Sequence, residues 1–145
     1  MTELPHLYRA SARSAAEAET VTLEAPGIAA LESAGPIEFD GPGDRWSPET
    51  MLPALVGDCF ILSFKAVAAA SRFAWSDIEC SIEAVVDKVE RTMRFTEFRL
   101  RVELTIAADG DEERALKLLD KAERICIVSN SLVAPVHTTF AVARA

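Results

Sequence analysis

The chain reads as an α+β domain in which helices cover one side of an antiparallel sheet, and three stretches predict it. Between Ile78 and Ile106, apolar and polar residues alternate in two runs joined near Glu90 to Thr92. These give an antiparallel hairpin with one charged face in water. From Ser47 to about Phe73 the chain has a helix start followed by an almost unbroken apolar tract. After Asp109-Gly110-Asp111, a second helix carries an inner stripe of Ala115, Leu118, Leu119, Ala122, Ile125 and Cys126.

Each element follows from local chemistry. Residues 6–24 alternate weakly and predict a hairpin with its turn at Ser14-Ala15-Ala16-Glu17. Pro26-Gly27 and Gly35-Pro36 bracket a short helical turn, and Ile37-Glu38-Phe39 reads as a brief strand. Gly41-Pro42-Gly43-Asp44 is a loop. Ser47-Pro48-Glu49 supplies a capping hydroxyl, a proline at the first helical position and an acid for the helix dipole. Pro53, inside the pattern, is expected to kink the first helix or delay its regular part. Leu52, Leu55, Val56, Cys59, Leu62, Ser63, Ala66, Val67 and Ala70 line one face, while Phe60, Ile61 and Phe64 lie opposite. Such a helix needs cover on several sides. After a loop near Pro135, Val136 to Ala143 predicts a last strand.

The composition bounds function. With 145 residues, the chain is expected to form a single domain spanning 1–145. A formal charge of −8 with no basic stripe argues against nucleic acid and against anionic membrane surfaces. Lys65 and Arg72 interrupt the longest apolar tract, which reads as a buried helix rather than a membrane span. Met1 to His6 has no basic-then-apolar pattern of a secretory signal, so a reducing cytoplasm is the expected home. There, the 3 cysteines do not form a disulfide framework. His6 and His137 lack metal-ligand spacing, and no bound cofactor or metal is expected. Asp109-Gly110-Asp111 lacks the remaining ligands of a calcium loop, and the chain has no phosphate-binding glycine loop or Ser-His-Asp grouping. Trp46 and Trp75 read as packing residues.

Cys59 and Cys126 fall on the apolar faces of separate helices. If those helices pack together, two thiols meet, which suits one thiol that reduces a peroxide and another that closes a disulfide on it. Two core cysteines would produce the same pattern. Cys80, alternating with apolar neighbours on a strand, reads as core.

Two segments carry a resemblance. Ser47-Pro48-Glu49, followed ten residues later by Cys59 on a long apolar helix, resembles the Pro-Glu…Cys segment of the OsmC/Ohr family. That family is named for osmotically inducible protein C and organic hydroperoxide resistance protein. Glu123-Arg124-Ile125-Cys126-Ile127-Val128-Ser129-Asn130-Ser131-Leu132 resembles its second-cysteine segment. The resemblance covers about residue 36 to the end. It departs at Asp58, where the family has a small residue, and at Ile127, where the family usually has proline.

The resemblance implies an OsmC-like fold: antiparallel sheets enclosing a long central helix plus a second helix, in an intertwined homodimer with active sites at the subunit interface. It implies a thiol-dependent peroxidase with Cys59 as the reactive thiol, Cys126 as the resolving thiol and Glu49 holding a catalytic arginine. Arg9 and Arg13 are both candidates for that arginine. One ungapped alignment from Leu7-Tyr8 instead puts Ala18 at the position and leaves no arginine. The implied partners are an organic hydroperoxide and an external dithiol, such as a lipoyl group or another thiol. An alternative is a catalytically weak or inactive dimer of the same fold that binds a small apolar ligand.

Overall fold

The computed structural model describes residues 1–145, which divide into two compact units, Met1–Met51 and Leu52–Ala145. In the first unit, β1 (Ser11–Arg13) pairs antiparallel with β2 (Val21–Glu24), which pairs antiparallel with β3 (Leu31–Ser33). The predicted N-terminal hairpin is therefore present, and a third strand extends it. Leu31–Ser33 replaces the helical turn expected between Pro26-Gly27 and Gly35-Pro36, because its backbone finds partners on β2. Ile37-Glu38-Phe39, expected as a strand, is instead a 3-10 turn. Pro36 O accepts from both Phe39 N and Gly41 N, which bends the segment too tightly for an extended chain. Gly41 is required here, because a Cβ would stand 1.7 Å from Gly35 O.

Helix α1 (Pro48–Ala70) is continuous through Pro53. Its start is a reciprocal cap: Ser47 Oγ accepts from Thr50 N at 3.1 Å, and Thr50 Oγ1 accepts from Ser47 N at 3.0 Å. The helix stops at Ala70 rather than near Phe73, since Arg72 takes a left-handed conformation with φ 50°. Its 23 residues are apolar enough to satisfy a length-and-composition test for a membrane span. In the structure, Val56, Phe60, Phe64, Val67 and Ala68 are packed into the core of the second unit.

The core therefore takes the Phe60/Phe64 side of α1, not the whole face expected from Leu52, Leu55 and Leu62. Leu55 and Leu62 are 48% and 58% exposed. The larger aromatic rings win the interior because they remove more apolar surface from water. The helix is left with a second apolar flank that this chain does not cover.

Strands β4 (Asp77–Val89) and β5 (Thr92–Ile106) form the predicted hairpin, closed by Glu90 and Arg91 with φ 50° and 71°. Positive φ at both turn residues matches the twist of a two-residue hairpin. Phe98, Leu100, Val102, Leu104 and Ile106 point into the core, while Arg99, Arg101 and Glu103 face out. Helix α2 (Glu112–Ile125) is capped by Asp111, whose carboxylate accepts from Arg114 N at 2.9 Å. Ala115, Leu118, Leu119 and Ala122 face the core as expected, but Ile125 is exposed. After α2 and the short α3 (Ile127–Asn130), β6 (Val136–Arg144) pairs with β5 in parallel. The two helices return the chain to the start of β5, so the last strand must run in the same direction as β5.

Phe64 is fully buried and meets Trp75 edge-on, with ring centroids 5.5 Å apart. Phe64→Ala is expected to lower unfolding stability by about 3–5 kcal/mol in urea titration. A loss below about 1 kcal/mol would refute the assignment of this ring to the core.

Candidate redox site

Cys59 lies in the middle of α1, half-buried, one residue before the fully buried Phe60. Cys126 occupies the break between α2 and α3 and is buried. All three cysteines are free thiols. The break itself sets the Cys126 sulfur. Cys126 has φ −65° and ψ 106°, an extended conformation that ends one helix and opens the next. Its N–H donates to Glu123 O, and its carbonyl accepts from Asn130 N.

Within the second unit, the structure brings Cys59 and Cys126 together. The two side chains face one another closely enough for ionisation of either to affect the other. Burial pushes the Cys126 thiol up. The Ser129 hydroxyl and N–H oppose that from the first turn of α3, and the neighbouring Cys59 raises it further. Two thiols from distant stretches of chain thus lie near one another. The physical cause is the packing of α1 and α2 on the same sheet.

Cys80 packs against the core of the second unit, as strand alternation predicts. It sits half-buried on the helix-facing side of β4. Its thiol is pushed up to about 11 by burial, then by the charges of Cys126 and Glu79. Sequence alternation gave its face but could not give its neighbours, because those depend on how closely α1 approaches β4.

The other predicted residues belong to the first unit. Glu49 is in the first turn of α1, and its Oε2 is buried without a hydrogen-bond partner. Such an atom is costly unless a donor meets it. Arg13 is on β1 and exposed, with Nε 3.4 Å from Glu24 Oε2. Arg9 precedes β1 and is also exposed.

The OsmC-like protein family model matches residues 41–141, and the chain belongs to that family. The match includes Glu49, Cys59, Cys80 and Cys126, whereas Arg9 and Arg13 precede it. The uncharacterized protein YmaD of Bacillus subtilis is 26% identical over 100 residues, 67% of either chain. An OsmC-like protein of unknown function from Vibrio cholerae superposes with a TM-score of 0.82 at 17% identity, over 94% of this chain and 100% of its own. The organic hydroperoxide resistance protein OsmC of Legionella pneumophila gives 0.75 at 21% identity, over 97% and 99%. The organic hydroperoxide resistance protein OhrB of Bacillus subtilis gives 0.67 at 18%, over 94% and 98%. At these identities the structural likeness establishes the fold, which is OsmC-like.

Ile127 replaces the proline that the family resemblance leads one to expect, yet Cys126 still has the extended backbone favoured before proline. Ile127 is 75% exposed at the first position of α3, where proline is tolerated. Ile127→Pro should therefore leave the thiol site intact and raise stability by about 0.4–1 kcal/mol, measured by chemical denaturation. A destabilised variant would show that this backbone is not already set for proline.

The Cys80 environment gives a second prediction. With its thiol near 11 rather than the ordinary 9.0, Cys80 at pH 8 carries about one hundredth of the thiolate of an unperturbed cysteine. Carbamidomethylation followed by mass spectrometry should show Cys80 labelling slowly at pH 8. The rate should rise about tenfold per pH unit up to pH 10, because the reactive form is the deprotonated one. Labelling at pH 8 as fast as that of an exposed thiol would contradict this.

Proposed function

We propose that the protein is a thiol-dependent peroxidase for organic hydroperoxides, with Cys59 as the attacking thiol and Cys126 as the resolving one. The observation that carries the reading is the facing pair of free thiols, one half-buried and one buried, on a chain of the OsmC-like family. In this reading, the Cys59 thiolate attacks the O–O bond of ROOH. With one proton it yields ROH and leaves sulfenic acid on Cys59. The Cys126 thiol then condenses with that sulfenic acid, releasing water and forming the Cys59–Cys126 disulfide. An external dithiol, of the lipoyl or another class, takes up the disulfide and restores both thiols.

A cation beside a reactive thiolate stabilises the charged, nucleophilic form. Arg13 or Arg9 is the proposed source. Glu49 is its proposed anchor through a two-pronged hydrogen bond, and its buried unpartnered Oε2 supports that role. An organic substrate is favoured by a largely apolar cavity of about 400 Å³ lined by Leu52, Arg94, Phe95, Phe98, Leu132 and Pro135. Leu52 precedes Cys59 by two helical turns on the same side of α1. Each alkyl methylene buried in such a place contributes about 0.8 kcal/mol.

The working unit in this proposal is a homodimer in the cytoplasm, the second copy covering the Leu55/Leu62 flank of α1. Relatives named for organic hydroperoxide resistance share the fold, which supports the substrate class without assigning it.

Stopped-flow mixing of reduced protein with cumene hydroperoxide and with hydrogen peroxide tests the proposal. Wild type should consume the organic peroxide faster than hydrogen peroxide. Cys59→Ser should fall to the buffer rate. Cys126→Ser should react once and accumulate sulfenic acid, trapped with a dimedone reagent. Unchanged turnover in Cys59→Ser would eliminate the reading. Slow oxidation of the wild type combined with saturable binding of an apolar ligand would favour the non-catalytic alternative.

A further inference from the structure

We infer that Arg94 is a specificity-determining residue, and that the preferred hydroperoxide carries a carboxylate at the far end of an apolar body. The inference rests on the peroxidase reading and names a substrate class for it.

The site is built on one irregularity in the β4–β5 hairpin. Val85 pairs with Glu97 but Val86 pairs with Phe95, so Thr96 is an extra residue on β5. Its hydroxyl donates to Val85 O at 3.3 Å and holds the bulge in place. Strict alternation from the inward Phe98 would turn Thr96 and Arg94 inward and Phe95 toward solvent. The extra residue instead brings Phe95 to the same side as Phe98. The two rings stack with centroids 5.1 Å apart and planes inclined by 27°, and Phe95 packs against the core. With Leu52 and Pro135 they wall the cavity of about 400 Å³.

Arg94 is the one charged residue that lines this cavity. It is exposed, and no carboxylate of the chain lies within ion-pair distance of it. Asp87 stands opposite it in the ladder, but Asp87 Oδ1 accepts from Lys88 N at 2.6 Å. The guanidinium is therefore free to take an anion, and its fork matches a carboxylate with two parallel hydrogen bonds. An apolar wall with a single free cation suits an occupant that has an apolar body and an anionic end. Leu52 precedes Cys59 by about 10 Å along the axis of α1. An occupant whose peroxide reaches Cys59 thus has room for one ring or a short chain before its carboxylate meets Arg94. The chemistry is unchanged: Cys59 breaks the O–O bond, and the carboxylate stays intact.

The test compares para-carboxycumene hydroperoxide with its methyl ester, which keeps the ring and removes the charge. Stopped-flow kcat/KM at low salt should be about fivefold higher for the acid, the scale of one partly exposed charge pair. Arg94→Gln should bring the ratio of the two to about one, and Arg94→Glu should reverse it. Equal values in wild type, or a ratio unchanged in Arg94→Gln, would refute the carboxylate role and leave the peroxidase reading standing. Binding is read separately by calorimetric titration of para-isopropylbenzoate, which has no peroxide. Binding to wild type that is lost in Arg94→Gln, with neither hydroperoxide consumed, would support the carboxylate site and overturn the peroxidase reading alone. No binding and no consumption would overturn both.

Discussion

The second unit depends on one packing event, the insertion of Phe60 and Phe64 from α1 among the inward residues of the β4–β5–β6 sheet. Phe60 lies beside Phe140 on β6, with centroids 6.0 Å apart, and Phe64 lies beside Trp75. These rings fix the rotation of α1 about its axis. Once that rotation is set, Gly57 must face β4 and Cys59 must face the end of α2. The thiol pair is thus a by-product of aromatic burial. Its geometry is held by residues that take no part in sulfur chemistry.

The same rotation explains why the site is electrostatically divided. Cys126 and Cys80 are both held toward the neutral thiol, chiefly because they have been taken out of water. Cys126 alone is partly relieved, because Ser129 in the first turn of α3 directs a hydroxyl and an N–H toward it. Position at a helix start, not composition, distinguishes the two. A thiol kept neutral until an oxidised partner appears is a suitable resolver, since it does not compete for peroxide.

Much of this was legible in the sequence. Strict alternation fixed β4, β5 and their turn, and the Asp111 cap fixed the start of α2, because both signals are local. The two cysteines were visible through helical spacing together with the family resemblance. What failed was non-local. Leu31–Ser33 and Ile37–Phe39 exchanged their expected roles, because a strand of three residues is defined by its partner and a 3-10 turn by one acceptor carbonyl. The parallel direction of β6 depends on a crossover that no pattern within the strand reveals. The face of Cys80 is legible from alternation, whereas the close approach of α1 at Gly57 is not, because it depends on packing between distant segments.

Helix α1 carries two apolar flanks, and only one is consumed by the fold of its own chain. If stability alone had shaped it, Leu55 and Leu62 would be free to become polar, since exposed leucines at mid-helix add little to a single chain. They flank Cys59 at four residues before and three after, so both lie on its side of the helix. A second copy laid along this flank would bury both leucines and remove water from around the thiol in one step. In that arrangement, association and reactivity are coupled through the same few side chains. Cys59, half-buried in the single chain, would then take part of its surroundings from that second copy.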